Sequence, residues 1–455
     1  MDTLGLLEPT EESAAHSGEI EGMKRLWLAA LLAGASIAPS MAQAQTPAAP
    51  FVAPSSLAAD PKKHSHDPVP PMIEGQPVET RAPEKPDDKP LFPGQTRAPY
   101  SASGVAYTVN VLPIKLTRGG SVGILPDGKV LVSERSGILR MVDPKAGASA
   151  PIAGLPTVKA VRGGGLIEFT VDPNFAKTRR LYFTYDVDQG NDADGVAVAR
   201  AKLSADGKTL TDLVEIFRVT PAMTAKQGNG DKGGRIVFDK NGNLFVALGG
   251  RPLPGAEHML PQQLDNHIGK IVHITPDGKP VPGNPFIGKA GAKPEIWSIG
   301  HRNPTGLAID AKGQLWEVEM GPRGGDELNK IEAGKNYGWP VIAHGLDDDL
   351  KPVGDGSTAK DGMEQPRYYW DPVIAPSGFA FYNGNLFPKW KGSFLVGALR
   401  GERLVRLTVK DDKVVSEEPL LTELRARIRD VRVGPDGAIY VLTDDDTNLL
   451  KVTPK

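Results

Sequence analysis

The chain has 455 residues, with 53 Lys and Arg against 55 Asp and Glu, so its formal net charge at pH 7 is −2. This balance offers no electrostatic basis for binding nucleic acid. Glycine (52 residues) and proline (41 residues) are frequent and indicate many turns, and the absence of cysteine excludes disulfides, thiolate metal sites and a cysteine nucleophile.

The amino-terminal segment predicts an export signal. Residues 1–22 are interpreted as an upstream extension. In residues 23–44, the positive pair Lys24-Arg25 is followed by a short apolar run and by Ala-Gln-Ala, which ends at Ala44. This order is typical of a secretory signal peptide, and the apolar run is too short to span a bilayer. The alternative is a short buried helix. We therefore expect cleavage after Ala44 and a periplasmic mature protein.

The next segment, residues 45–100, is rich in Pro, Ala, Lys and Asp and has few large apolar side chains. Such a segment cannot bury enough surface to offset its chain entropy, so we predict a disordered linker. His64 and His66 lie in this segment and could bind a metal ion. An isolated pair of histidines in a flexible segment is more often incidental.

From residue 101 onward, one pattern recurs: an apolar strand, a tight turn and a second apolar strand. Asp-Gly and Asn-Gly between such strands are strong hairpin signals, because these residues tolerate positive φ. The copies begin at Gly123, Gly165, Gly234, Gly306, Gly378 and Val431. A spacing of about 60 residues suits a blade of four strands. We therefore predict an all-β fold, a six-bladed β-propeller over residues 101–455. The alternative, a pair of β-sandwiches, would not need the same hairpin six times.

Because propellers host unrelated functions, function has to be argued from the site at the central channel. Residues 300–306 and 319–327 flank the same predicted hairpin, so they are expected to lie close together. Gly-rich backbone beside carboxylates supplies the oxygen ligands that calcium prefers. The same composition is equally typical of turns with solvated charges.

Three arginines near the carboxyl end are candidates for binding anionic groups. Arg400 ends a predicted strand, and Arg427 and Arg429 alternate just before the last repeat. In a strand, Arg427 and Arg429 would point to one side and form a fork that suits bidentate carboxylates. An exposed basic strand edge is the alternative interpretation.

Two long motifs carry a family resemblance. Residues 294–307 read PEIWSIGHRNPTGL, and residues 321–340 read GPRGGDELNKIEAGKNYGWP. With these motifs the sequence closely resembles the soluble PQQ-dependent aldose sugar dehydrogenases, the glucose/sorbosone dehydrogenase family. The resemblance runs from about Val111 to Val452. It implies a periplasmic six-bladed propeller that uses pyrroloquinoline quinone (PQQ) and calcium.

The resemblance assigns roles to the polar residues. Arg302 and Asn303 match the pair that contacts the quinone oxygens, and Arg427 and Arg429 match the pair that binds the cofactor carboxylates. Arg400 stands where the family has a lysine and is also assigned to the cofactor. A tricarboxylate cofactor needs guanidinium partners, so the set is chemically consistent.

The resemblance also implies two calcium sites. The backbone carbonyls of Gly321 and Pro322 match ligands of the calcium ion that holds the quinone, and Asp326 matches a carboxylate that supports their loop. A second, structural calcium site is matched more loosely by Ala343, Gly345 and Asp347.

The predicted pocket departs from the family at several positions. Asp231 stands in place of the catalytic histidine. The other changes are Gly230 for an acidic residue, Gly163 for a glutamine, Arg400 for a lysine and Val373 for a threonine or serine. Asp231 is therefore the predicted general base, which takes the proton of the substrate hydroxyl as hydride leaves the carbon.

Asp231 is a weaker base than the histidine it replaces. An ordinary aspartate pKa is about 3.9, against about 6.5 for imidazole. Burial would raise the pKa of Asp231, and neighbouring Lys232 would pull it back down. The alternative is that residues 227–233 form an ordinary polar loop. His301, beside the quinone pair, is the other histidine that could be recruited, whereas His267 is expected to be structural.

The sequence thus predicts an oxidoreductase that oxidises an aldose or related sugar alcohol at calcium-bound PQQ. Its electrons would pass to an acceptor that the sequence does not identify. One alternative is a catalytically degenerate propeller that binds a glycan or protein partner without turnover. Another is a calcium-dependent lactonase-like hydrolase, because six-bladed propellers also host that chemistry.

Overall fold

The computed structural model describes residues 68–143, 147–161, 163–228, 230–250, 258–444 and 447–455. The predicted signal peptide, the upstream extension and residues 45–67 of the predicted linker lie outside these residues, as do His64 and His66. The described residues form six antiparallel sheets arranged as blades. This confirms the prediction of an all-β, six-bladed propeller.

Each blade is built from consecutive strands, except the last, which also takes the first strand of the chain. The first blade contains β2 (Gly119–Ile124), β3 (Val130–Glu134), β4 (Ile138–Asp143) and β5 (Gly147–Ala148). The second contains β6 (Leu166–Val171), β7 (Arg180–Gly190), β8 (Ala193–Leu203), β9 (Leu210–Arg218) and β10 (Met223–Thr224). The third contains β11 (Gly233–Phe238), β12 (Leu244–Leu248), β13 (Lys270–Ile274) and β14 (Ile296–Ile299).

The remaining three blades complete the ring. The fourth contains β15 (Pro304–Ile309), β16 (Leu315–Glu319), β17 (Asp326–Ile331) and β18 (Tyr368–Trp370). The fifth contains β19 (Pro376–Phe381), β20 (Phe394–Ala398), β21 (Arg403–Lys410) and β22 (Lys413–Leu420). The sixth contains β23 (Ile428–Val433), β24 (Ile439–Thr443), β25 (Leu449–Pro454) and β1 (Tyr107–Leu112). The first strand of the propeller, β1, pairs with the last strand, β25, so the sixth blade joins the two ends of the chain and closes the ring.

Helical structure in the described residues is confined to single turns. These are α1 (Phe175–Thr178) and the 3₁₀ turns Ala225–Gln227, Leu260–Gln262, Pro388–Trp390 and Thr422–Leu424. None of these turns has the length to cross a membrane.

Tight turns and apolar packing between blades explain why the sequence folds this way. Gly242 and Gly437 have φ of 83° and 78°, the left-handed conformation that the Asn-Gly and Asp-Gly hairpins require. Between the fourth and fifth blades, Trp316 and Phe379 both pack on Phe394, with ring centroids 5.1 Å apart in each pair. Each sheet therefore buries both faces against its neighbours.

A closed ring of hydrogen bonds joins the innermost strands around the channel. In each case a side chain on one blade bonds the backbone of the next. The pairs are Ser121 with Phe169 N, Glu168 with Ile236 N, Arg235 with Thr305 O, Thr305 with Pro376 O, Ser377 with Ile428 O, and Asp430 with Val122 N. This ring fixes the angular positions of the strands that line the channel.

Residues 68–106, hereafter the strap, run along the outside of the propeller. Val78 and Ala98 of the strap are buried, and Ala98 N donates to the Tyr368 hydroxyl at 2.9 Å. Thr96 forms a parallel bridge with Tyr369. The prediction of a disordered linker is therefore wrong for residues 68–100. Backbone and side-chain hydrogen bonds to the blades replace the apolar burial that the composition lacks.

Candidate functional site

The ends of the inner strands open into a central cavity of about 200 Å³. Asp231, Asn303 and Arg429 line this cavity, although they come from the third, fourth and sixth blades. Two further arginines, Arg135 and Arg235, line it as well. The walls are therefore polar and rich in guanidinium groups, and three of the predicted site residues share one cavity.

Arg135 and Arg235 are not among the site residues that the sequence predicts. Arg135 follows β3 at the channel end of the first blade, and its guanidinium donates to the Gly164 carbonyl at 3.0 Å. Burial, together with Arg429 and Arg118 nearby, lowers the pKa of Arg135 to about 9. An anionic ligand in the cavity would relieve this repulsion, so the arginines fit a carboxylated cofactor.

Arg427 and Arg429 lie on the same side of the chain, but both guanidinium groups contact the carboxylate of Asp444. Arg429 donates to Asp444 Oδ1 through Nε at 2.9 Å, and Arg427 Nε lies 3.5 Å from Asp444 Oδ2. Burial alone would raise the pKa of Asp444, and the two arginines hold it below its usual range. Of the two arginines, Arg429 lines the central cavity.

Asp231 lies between the central cavity and a smaller, mainly apolar one of about 30 Å³. Val196, Pro221 and Met223 line the smaller cavity beside it. The Asp231 side chain is 22% exposed, and its Oδ2 lies 3.8 Å from the Arg302 guanidinium. Asp231 therefore forms part of the wall between the two cavities.

Lys232 does not direct its ammonium group at Asp231. Its buried Nζ pairs closely with Asp194 and lies 3.3 Å from Asp186. Burial raises the pKa of Asp186 to about 7, although Lys232 acts in the opposite direction. The Lys232 charge is thus engaged by two carboxylates of the second blade, which anchors the Asp231 loop to that blade.

Arg302 and Asn303 are held by a buried carboxylate. Glu319 accepts from the backbone N–H of Arg302 at 2.6 Å and of Asn303 at 3.2 Å. The Arg302 guanidinium donates to Met320 O at 2.7 Å and lies 5.3 Å from the Trp339 ring centre. These contacts place the pair between the central cavity and the loop of Gly321 and Pro322.

The predicted calcium loop lies next to Arg302. Gly321 and Pro322 line a cavity of about 20 Å³, enough for a single water or ion, together with Glu327. Asp326 accepts from Gly321 N at 2.9 Å and supports this loop, as expected. Burial and neighbouring Glu319 raise the pKa of Glu327 well above its usual value, so a cation here would stabilise the ionised form.

The three residues of the second predicted calcium site each have a contact with other parts of the chain. The Ala343 carbonyl accepts a hydrogen bond from Lys85 Nζ at 3.1 Å. Gly345 packs against the backbone of Arg323 and Gly324, and Asp347 N bonds the Lys351 carbonyl within its own turn. Lys85 thus contacts one of the three predicted ligands, and the second calcium site stays a prediction.

Neither histidine is placed for catalysis. His301 is fully buried, donates to or accepts from Ser298 Oγ at 2.8 Å, and stacks on Tyr337. His301 therefore faces the blade interior, where its ligand atoms lie within 4.8 Å of those of Glu317 and Glu319. His267 bonds Thr220 and Glu295, which matches the structural role expected of it.

Arg400 does not line the central cavity among the described residues, whereas the preceding residue, Leu399, does. The Arg400 backbone N–H donates to Ile374 O, which ties the end of β20 to the neighbouring segment. The assignment of Arg400 to a cofactor stays a prediction.

The fold and this site define a class of protein: a six-bladed propeller whose channel places several guanidinium groups and one carboxylate around a small-molecule cavity. Such a channel suits an anionic ligand beside an acid–base group.

The model of the glucose/sorbosone dehydrogenase family matches residues 117–451. The aldose sugar dehydrogenase YliI of Escherichia coli is 41% identical over 359 residues, which cover 78% of this chain and 95% of that protein. Quinoprotein glucose dehydrogenase B of Acinetobacter calcoaceticus is 25% identical over 441 residues, covering 80% of this chain and 90% of that protein. The chain belongs to the glucose/sorbosone dehydrogenase family and is an oxidoreductase of that family.

Solved structures agree with this assignment. The apo form of the soluble aldose sugar dehydrogenase from E. coli has a TM-score of 0.72 and 40% identity, covering 77% of this chain and 100% of that chain. The PQQ-bound aldose sugar dehydrogenase from Streptomyces coelicolor has a TM-score of 0.62 and 28% identity, covering 77% and 99%.

Proposed function

We propose that this protein is a periplasmic dehydrogenase that oxidises an aldose or related sugar alcohol, with PQQ as cofactor and calcium as its metal. The observation that carries the proposal is the meeting of Asp231, Asn303 and Arg429 at one cavity. The names of the relatives support the cofactor, because one is a quinoprotein and a solved relative is PQQ-bound.

The arginines of the cavity would bind the cofactor. Arg135, Arg235 and Arg429 are the candidates for its carboxylates, and Arg302 with Asn303 would face its quinone edge. When bound, PQQ supplies a two-electron acceptor for the hydride of the substrate carbon. Oxygen ligands for calcium would come from the loop of Gly321 and Pro322 and from Glu327.

Asp231 would act as the base on the substrate hydroxyl. Asp231 lines the central cavity, where a sugar would bind beside it, and it also borders the small cavity formed with Val196 and Met223. The Arg302 guanidinium, 3.8 Å from the Asp231 carboxylate, orients that carboxylate. The ion pair between Lys232 and Asp194 holds the Asp231 loop in place. The proton of the hydroxyl would pass to Asp231 as the carbon–hydrogen bond breaks.

Reconstitution tests the proposal. Purified apo-protein would be titrated with PQQ and Ca²⁺, followed by the absorbance of the cofactor and by sugar-dependent reduction of a dye. We expect saturable binding and turnover in the wild type, and binding without turnover in Asp231→Asn. Asp206→Asn, at a fully exposed aspartate, is the matched control and should retain activity.

The same experiment separates the alternatives. Turnover that survives Asp231→Asn would reject Asp231 as the base while leaving the cofactor assignment intact. Failure of PQQ to bind would reject the cofactor and revive the glycan- or protein-binding alternative, which the family membership does not favour. Hydrolysis of a lactone without dye reduction would support the lactonase-like alternative instead.

A further inference from the structure

A patch of acidic side chains lies on the face of the fourth blade that packs against the third. Glu317 and Glu319 alternate along β16, so both point to one face of the sheet. Leu315 of the same strand packs in the apolar cluster shared with the third blade. On β17, Asn329 pairs opposite Glu317, and Glu327 pairs opposite Glu319. Like charges directly opposite each other on two strands are destabilising unless something compensates them.

The three carboxylates of this patch compete for the amide group of Asn329. Its Nδ2 lies 3.1 Å from Glu317 Oε2, 3.2 Å from Glu319 Oε1 and 3.0 Å from Glu327 Oε2. Since a side-chain NH₂ group carries two protons, it cannot satisfy three carboxylates. Asn329 Oδ1 and Glu317 Oε1 are buried and have no hydrogen-bond partner among the described residues. The patch therefore lacks donors or positive charge.

His301 approaches the patch from the connection between the third and fourth blades. Its ring is fully buried and is oriented by the Ser298 hydroxyl, 2.8 Å from Nε2, and by stacking on Tyr337. The other nitrogen, Nδ1, has no hydrogen-bond partner in the described part of the chain and lies 3.7 Å from Glu319 Oε1. The ligand atoms of His301, Glu317 and Glu319 all lie within 4.8 Å of one another. A buried imidazole nitrogen is thus aimed at the carboxylates.

We propose that His301, Glu317 and Glu319 form a buried binding site for a divalent transition-metal ion, with zinc as the type ion. One imidazole nitrogen and two carboxylates are ligands that zinc takes, and around zinc such atoms lie about 3.3–3.5 Å apart. The 3.7 Å between His301 Nδ1 and Glu319 Oε1 is already close to that spacing. The ion would neutralise two carboxylates and engage the unpaired atoms Nδ1 and Oε1. Calcium prefers oxygen ligands, so the imidazole distinguishes this site from the calcium site proposed at Gly321 and Pro322.

Glu319 connects the proposed zinc site to the candidate cofactor site. Its Oε2 accepts from the backbone N–H groups of Arg302 and Asn303, whereas Oε1 faces His301. An ion on Oε1 would fix this carboxylate and, through it, the backbone of the two residues. The ion would lie behind the cavity wall, so its role is structural.

The zinc content of the full chain tests the proposal. Wild type, Glu317→Gln and Glu417→Gln would be produced with added Zn²⁺, gel-filtered in millimolar Ca²⁺ and analysed by inductively coupled plasma mass spectrometry. Glu417→Gln is the matched control, because Glu417 is a buried carboxylate of the fifth blade that also accepts side-chain hydrogen bonds, from Tyr368 and Trp370. Wild type and E417Q should each hold one zinc ion per chain more than E317Q. Zinc bound elsewhere is common to all three proteins, so the difference isolates this site.

Thermal unfolding gives a second measurement. Zinc should raise the Tm of wild type and E417Q by roughly 4–8 °C over its value in EDTA and leave that of E317Q unchanged. In EDTA, E317Q should melt no lower than wild type, because it removes one of the mutually repelling charges. Should E317Q not fold, His301→Gln, whose amide can still bond Ser298, should show the same loss of zinc.

Equal zinc contents in wild type and the folded variant would overturn the proposal, since the zinc would then be bound elsewhere. A wild type without zinc would overturn it as well and would mean that protons and water satisfy the patch. These measurements require neither PQQ nor turnover, so their failure would leave the proposed function intact.

Discussion

Gly163 and Gly230 lie against each other at the wall of the central cavity. A Cβ built on Gly163 would lie 2.2 Å from the Gly230 carbonyl oxygen, whereas a Cβ on Gly230 would meet nothing within 4 Å. Both residues line the cavity. Two of the departures from the family therefore form one contact: the backbone beside Asp231 occupies the space that a side chain at position 163 would need.

This asymmetry predicts opposite outcomes for two alanine substitutions. Gly163→Ala should destabilise the fold by about 1–3 kcal/mol, because the neighbour is backbone and has to shift. Gly230→Ala should be nearly neutral and serves as the matched control. Thermal unfolding of both variants checks this. Equal stability losses would show that the contact does not limit the residue at position 163.

The shared carboxylate of the arginine fork leads to a second prediction. Arg429 contacts Asp444 through two nitrogens, at 2.9 and 2.8 Å, and still lines the cavity. A lysine at position 429 (Arg429→Lys) has a single nitrogen, so it cannot pair with Asp444 and also bind a ligand carboxylate through two hydrogen bonds in a fixed geometry. We expect about 10- to 100-fold weaker binding of PQQ, measured by titration of the apo-protein with calcium present.

The matched control for this variant is Arg218→Lys, at an exposed arginine of the second blade. It should bind PQQ as the wild type does. Unchanged affinity in Arg429→Lys would mean that the carboxylates of the cofactor are bound elsewhere, with Arg135 and Arg235 as the remaining candidates.

Much of the architecture could be predicted because its determinants are local. A Gly-led apolar strand followed by Asp-Gly or Asn-Gly specifies a hairpin, and six copies specify the ring. The alternation of Arg427 and Arg429 likewise predicted that their side chains share one side. Their partner Asp444 could not be predicted, because it lies 15 residues beyond Arg429, after the next strand.

The strap shows where composition is insufficient. Few apolar residues and many prolines indicated disorder, yet Lys85 and Asp88 are buried against residues more than 250 positions away. Such long-range polar contacts leave no periodic signal in the sequence. The same holds for Arg135, whose role in the cavity follows only from its place at the channel end of β3.

The buried carboxylate of Asp186 predicts a pH dependence of stability. Its pKa is raised from 3.8 to about 7 by burial, so the folded state holds this proton more tightly than the unfolded state. Its favourable contribution is complete below the unfolded pKa and is lost as the pH rises through about 7. Asp186→Asn removes this loss and should flatten the dependence of Tm on pH between about pH 4 and 7.

The slope is the informative quantity here, because Asp186→Asn also removes a partner of Lys232 and lowers stability at every pH. Asp206→Asn, which changes a fully exposed carboxylate, should follow the wild-type slope. Parallel curves for wild type and Asp186→Asn would contradict the raised pKa.

The ring of hydrogen bonds around the channel gives a last prediction. Ser377 is fully buried, and its hydroxyl donates to Ile428 O on the next blade. Ser377→Ala should cost about 1–3 kcal/mol of unfolding free energy, because it leaves a buried carbonyl without this donor. Since Ile428 immediately precedes Arg429, the variant should also weaken PQQ binding, whereas Ser136→Ala, at an exposed serine, should change neither. A Ser377→Ala protein with lower stability but wild-type PQQ affinity would show that the ring holds the blades together without positioning the arginines.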